Sequence, residues 1–423
     1  MKPADKAKTA ERTAKPAAAR VLLLVPSRTY RAADFLTAAA RLGLDLVVGS
    51  DGALPLGGRP VVHADPSDPR GSASRLVAAT GPVDAVVAAD TPMLVLAAAV
   101  AARMGLAHNP VEAVIAATDK AVQRHQWARA AVAQPGFRVV PAAAPEDSLR
   151  QAAVQVGFPC VVKAVSLSAS QGILRADEPA GAVAAAGRIR RVLATARRPG
   201  TEPLLIEEYL PGPELSIDGL LHGGGLTVTA VFDKPGTPEG PTFEETVLIT
   251  PSRLPGHVLS AAVRTAGQAA RALGLRHGPI HAELRIDDRG GQARPAMLEL
   301  AARSIGGLCS RALRFPGGQS LEELVLANAL GRRVSPRHMA RTSGVLMLPI
   351  ERPGVLLAVE GRTEAAAVPG ITGLTITTPL GQPVHPLPEG DRYLGFVFAE
   401  GDSHQQVERA LGAARERLRV VVR

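Results

Sequence analysis

The sequence predicts a multidomain protein of mixed α/β and α+β class, led by a doubly wound α/β domain, and three observations carry that reading. Its 423 residues suffice for two to four domains at roughly 100–200 residues each. Short, continuous apolar runs alternate with helical patterns near the start, which marks parallel strands covered on both faces. Further along, strand-like runs follow one another across turns, as in antiparallel α+β pairing.

Taken in order, residues 1–19 form a basic arm whose charge and composition predict disorder. Residues 20–111 form the N-terminal α/β domain: strands at 21–25, 44–48 and 84–89, and helices at 31–42 and 92–104. Pro26, Ser27 and Arg28 follow the first strand where a dinucleotide-binding fold would place a glycine fingerprint, so a dinucleotide cofactor is unsupported. Residues 112–333 form a central α+β body with strands at 158–165 and 204–209 around a helix at 178–198. Pro and Gly break the chain at 233–241. Residues 340–423 form a small C-terminal α+β domain with strands at 344–347, 373–377 and 393–399 and a last helix at 403–418.

Composition removes several function classes. No apolar run reaches the roughly 18 residues of a membrane span, since the best one, 93–102, is closed by Arg103. Two cysteines, Cys160 and Cys309, are too few for a disulfide framework and point to a reducing cytoplasm and small buried thiols. The net charge of +9 is concentrated partly in residues 1–20, where six basic residues face Asp5 and Glu11. With eight Phe, three Tyr and one Trp, aromatic residues do not interleave with the basic ones, which argues against a nucleic-acid partner. The histidines show no spacing of metal ligands.

Lysine is scarce beside 41 arginines: beyond residue 20 it occurs only at Lys120, Lys163 and Lys234. These three are candidates for places where a compact ammonium serves better than a planar guanidinium, as against a phosphate. Lys163 lies in a strand, VVKAV, followed by a loop of small residues, 166–173, that can bring backbone N–H groups to phosphate oxygens. The loop lacks the Gly-Lys-Ser/Thr of a Walker A motif. A second strand ends in Glu207, Glu208, Tyr209 and Leu210 before a Pro-Gly-Pro turn and Glu214. Two further strands, 278–286 and 296–303, flank a turn at 287–291. Alternation puts His281, Glu283 and Arg285 on one face, and Met297, Glu299, Ala301 and Arg303 on the polar face of the partner, with Leu298 and Leu300 in the core. Three readings of the Glu283/Glu299 pair stay open: a divalent metal, a general acid/base pair, or a solvated face balanced by Arg285 and Arg303. Oxygen-only ligands favour Mg²⁺ among metals.

In this order and spacing the motifs of residues 112–330 resemble the ATP-grasp superfamily, and the stretches at 233–252 and 303–307 resemble its L-amino-acid (dipeptide) ligase branch of carboxylate–amine ligases. The resemblance implies ATP and Mg²⁺ as cofactors, with Mn²⁺ as a substitute. It implies that Lys120, Lys163 and the loop with Ser168, Ser170 and Gly172 hold the phosphates. Glu207, Tyr209 and Leu210 would meet adenine, and Glu214 the ribose. Glu283 and Glu299 would bind Mg²⁺, and Arg303, with His281 and Lys234, would form the catalytic set. The implied reaction makes an amide through an acyl phosphate from small carboxylate and amine substrates, under a lid near 135–210, and a homodimer is compatible with it. Ala301 stands where the family often has Asn, and Ala169 and Gln171 where it often has Gly and a basic residue. Two alternatives therefore remain: a nucleotide-binding protein of this fold without turnover, and a phosphoribosylamine- or carboxylase-type enzyme.

Overall fold

Residues 18–54, 59–195, 201–236, 239–336 and 341–423 are described by a computed structural model. Nearly all of the expected basic arm lies outside them.

The first sheet is parallel throughout, in the order Val61–His63, Asp45–Ser50, Arg20–Val25, Ala85–Ala88. Its central strand, Arg20–Val25, is apolar on both faces because both are covered. Val21, Leu23 and Val25 enter one core with Phe35 of the helix Ala32–Arg41, while Leu22 and Leu24 enter another with Leu76 and Leu96 of the helices Pro69–Thr80 and Leu94–Met104.

A smaller antiparallel sheet follows, in the order Phe137–Val140, Leu204–Glu208, Cys160–Ala164, Ile173–Ala176. The helices Glu146–Val156 and Pro179–Thr195 close one face over a core that includes Cys160, Val162 and Ile206. The opposite face is free to meet the large sheet.

That sheet has eight strands: Arg294–Ala301, Gly278–Asp287, Glu214–His222, Gly225–Asp233, Val247–Thr250, Thr342–Leu348, Gly395–Gly401, Ile371–Ile376. The last three come from the C-terminal region, so its strands continue the central sheet. The helix Gly256–Ala272 packs on one face, and the N-terminal domain shares a core with the strands Thr342–Leu348 and Gly395–Gly401 through Val345 and Phe396. A three-stranded sheet, Pro383–Val384, Gly354–Glu360, Arg419–Val422, and the helix His404–Arg417 complete the C-terminal end. Among the described residues no helix is long and apolar enough to cross a membrane.

One expected alternation is corrected. Glu283 pairs with Glu299, but Leu284 pairs with Met297, so Leu298 is an extra residue in a β-bulge. The bulge turns Leu298 out of the core and puts Met297 into it.

Candidate active site

The small sheet faces the large one across a cavity lined by residues of both. Its roof carries Val161, Lys163 and Glu207 on neighbouring strands, and its floor carries Glu283, Arg285, Leu298 and Glu299. Between them Tyr209 and Phe243 stack with ring centroids 6.3 Å apart. Arg285 lies over both rings, at 5.2 and 5.8 Å.

All three lysines of the described residues are buried at this site, with 4, 8 and 6% of Lys120, Lys163 and Lys234 exposed. Burying an ammonium is costly unless it is paired, and each is paired. Lys163 Nζ lies 2.6 Å from Glu207 Oε2, and Arg124 Nε lies 2.5 Å from the other oxygen of that carboxylate. Burial opposes the Glu207 charge, but the two cations outweigh it and hold the carboxyl below its ordinary range. Glu207 is thus first an anchor for Lys163, with both oxygens engaged, rather than a carboxylate waiting for a base. Lys120 Nζ donates to Leu167 O at 2.6 Å and lies 3.2 Å from Glu299 Oε1, which links the small-residue loop to the metal-ligand candidate.

Lys234 sits at the centre of a second cluster. Its Nζ contacts Glu214 Oε1 at 2.8 Å, Glu283 Oε1 at 3.4 Å and also Glu245. Carboxylate oxygens of Glu214, Glu245 and Glu283 lie within 4.8 Å of one another, a set able to hold a cation. Burial works against the Lys234 charge, yet the three carboxylates raise its pKa well above the ordinary lysine value. In this position the Lys234 ammonium fixes the three carboxylates. Burial and the Glu283 charge raise the Glu245 pKa. The Glu283 carboxyl is pushed down, because the Lys234 charge and a hydrogen bond from His281 outweigh burial.

His281 places Nε2 3.3 Å from Glu283 Oε1 and Nδ1 3.1 Å from Asp218 Oδ2. Asp218 is itself fixed by the Ile305 N–H at 2.8 Å. Burial alone would lower the imidazole pKa, but Asp218 and Glu283 lift it to about 9. Glu214, at the rim, accepts from Arg285 Nε at 3.0 Å on the oxygen not used by Lys234, and Arg285 Nη1 donates to Leu210 O at 2.6 Å.

The small-residue loop is tied down at its start by Glu202. Oε1 accepts from the N–H groups of Val165 and Ser166 at 3.1 and 2.9 Å, and Oε2 accepts from the Ser166 hydroxyl at 2.7 Å. Ser170 faces the cavity; Ser168 and Gly172 belong to the same loop but do not line it.

The structure therefore brings Lys163, Ser170, Glu207, Tyr209, Leu210, Glu214, Lys234, Glu283 and Glu299 to one cavity, with Lys120 and His281 bonded to its acidic groups. Arg303 is apart from that lining. Its Nε donates to Thr91 Oγ1 at 2.9 Å, next to a buried Arg31 that donates to Ser304 Oγ at 2.7 Å. Arg303 thus joins the central body to the N-terminal domain. Sequence reading did not single out Arg124, Asp218 or Glu202, whose partners lie far away in the chain. Glu245 had a signal, its place in the acidic stretch 243–246.

Family models and known proteins match the chain in its domains and its fold. Residues 156–312 match the family model for the ATP-grasp domain, and residues 346–423 match the L-amino acid ligase C-terminal domain 2. Carnosine synthase 1 of Gallus gallus is 32% identical over 227 residues, 50% of this chain and 24% of the relative. Alanine–anticapsin ligase of Bacillus subtilis is 28% identical over 240 residues, 53% of this chain and 49% of the relative. The chain thus spans less than half the length of these curated relatives. In fold, it is similar to the crystal structure of L-amino acid ligase from Bacillus licheniformis, with a TM-score of 0.80 and 24% identity over 96% of this chain and 99% of that one.

Proposed function

We propose that this chain, which carries an ATP-grasp domain and the C-terminal domain 2 of L-amino acid ligases, is an ATP-dependent carboxylate–amine ligase, Mg²⁺-dependent and ADP-forming, that joins amino acids or similar small molecules. One observation supports the reading above the rest. Two glutamates face each other across a β-ladder in the same cavity as Lys163 and the small-residue loop, an arrangement suited to a metal-bound triphosphate. Lys120 and Lys234 already balance these two charges, so the metal reading rests on the donor set, which is all oxygen and fits Mg²⁺, with Mn²⁺ as a substitute.

In this reading Glu283 and Glu299 hold the metal, which when bound neutralises phosphate charge. Lys163, positioned by Glu207 and Arg124, and Lys120, positioned by Leu167 O, take phosphate oxygens. The Tyr209 and Leu210 segment meets the adenine, and Glu214, steadied by Lys234 and Arg285, accepts from the ribose. His281, oriented by Asp218, holds Glu283 in place. A carboxylate oxygen of the acid attacks the γ-phosphorus as ADP departs. The amine nitrogen then attacks the carbonyl carbon of the acyl phosphate, loses a proton, and expels phosphate. Arg303, at the junction with the N-terminal domain, is assigned to the carbonyl side, and the small sheet excludes water from the acyl phosphate. A cytoplasmic site of action, no nucleic-acid partner and a homodimer complete the proposal.

Glu299→Gln tests the metal assignment. Carboxylate-dependent ADP release is expected to fall by about 10²–10³-fold with an unchanged circular dichroism spectrum; near-normal turnover would remove Glu299 from the site. The reading without turnover, which Ala301 opposite His281 favours, requires Mg·ATP binding with no ADP from any amino-acid pair.

A further inference from the structure

The loop after Lys163 has a backbone that needs support. Ala169 and Ser170 have φ of 55° and 57°, in the left-handed region that a residue with a Cβ rarely adopts, and Gly172 follows at 65°. Such geometry persists where surrounding groups impose it. Lys120 and Glu202 hold the near end of the loop. The far end is held by a segment more than two hundred residues away, within the C-terminal region. The Gly172 N–H donates to Pro388 O at 3.0 Å, and Gln171 Nε2 donates to Glu389 O at 2.8 Å. The Glu389 carboxylate in turn accepts from Arg188 Nε at 2.7 Å and Nη2 at 2.9 Å, a bidentate pair with the helix Pro179–Thr195 of the same small sheet. Ala169 closes the contact by lining a recess with His385, Leu387 and Gly390.

We infer that residues 388–389 of the C-terminal region, fixed by the Arg188–Glu389 pair, position the loop that receives the nucleotide's β- and γ-phosphates. The inference rests on the nucleotide reading of the cavity. Arg188 and Glu389 do not line that cavity, so they are positioning residues. Two backbone carbonyls orient the loop, and the ion pair keeps those carbonyls in register with it. This gives the C-terminal region a share in phosphate recognition in addition to its place in the large sheet.

The test uses the full chain and compares wild type with Arg188→Ala, Glu389→Ala and the exchanged pair Arg188→Glu/Glu389→Arg. The pair is half exposed, so the folded state should survive all three changes. Calorimetry measures Mg·ATP and AMP, which lacks the β- and γ-phosphates. Each single variant is expected to weaken Mg·ATP by about three- to fivefold, with AMP affinity and the thermal midpoint little changed. KM for ATP should rise while KM for the carboxylate stays, and the exchanged pair should recover most of the loss. Wild-type Mg·ATP affinity in both single variants overturns the inference, as does an equal loss for AMP or an exchanged pair no better than the singles. Failure of the wild-type protein itself to bind Mg·ATP would instead overturn the nucleotide reading on which the inference stands.

Discussion

Lys120, Lys163 and Lys234 show how scarcity of a residue type can single out positions before their surroundings are known. Beyond residue 20 the chain otherwise uses arginine, and the three lysines retained there are all buried beside one cavity. What sequence could not supply was the partner of each. Glu207 read as a base contact because it ends a strand before a Pro-Gly turn, whereas its carboxylate is held by Lys163 and Arg124, neither nearby in the chain. This arrangement predicts the behaviour of Glu207→Gln. Removing the charge strands two buried cations and should cost about 3–5 kcal/mol at neutral pH in urea unfolding. The folded Glu207 pKa lies below its ordinary 4.5, so the charged group's contribution is complete above about that pH and is lost as pH falls through the folded value. The stability gap between wild type and variant should therefore narrow below about pH 4.5; a gap constant down to pH 3 would contradict the pairing.

At the scale of elements, most strands and helices were legible because apolar runs and alternation report burial directly. The first strand splits its odd and even residues between two cores, as its uninterrupted apolarity required. That Glu283 and Glu299 could share a face was legible from alternation, but the register that pairs them directly was not. The bulge at Leu298 was not: one extra residue leaves no mark in composition, yet it decides which side chains reach the cavity. The turn before Glu214 was visible from its prolines, but the need for Gly212 was not. Gly212 has φ of 98°, and a Cβ there would lie 2.2 Å from Ile286 O, a backbone atom of the strand bearing Glu283. Gly212→Ala should thus destabilise the protein by about 1–3 kcal/mol, read as a lower thermal midpoint, and should weaken Mg·ATP binding by displacing Glu214. An unaltered midpoint would show that the turn has more room than its geometry allows.

Across the whole molecule, the C-terminal strands complete a sheet begun by the central body, so neither part buries its apolar surface alone. Ile249 of the central body sits in a core whose other members include Leu346, Val397 and Val407. Pairing between Val247–Thr250 and Thr342–Leu348 joins segments separated by about ninety residues, a contact that no local pattern announces. A chain cut after residue 340 should therefore lose cooperative unfolding and expose an unpaired strand edge. A soluble fragment with a sharp melting transition would contradict this. The proposed function requires transfer of a phosphoryl group to a carboxylate, and oxygen labelling tests that step most directly. With both carboxylate oxygens of the acid substrate labelled with ¹⁸O, each phosphate released with ADP should carry one labelled oxygen, the one that bonded to phosphorus and left with it. Amide product formed alongside unlabelled phosphate would mean that no acyl phosphate lies on the path.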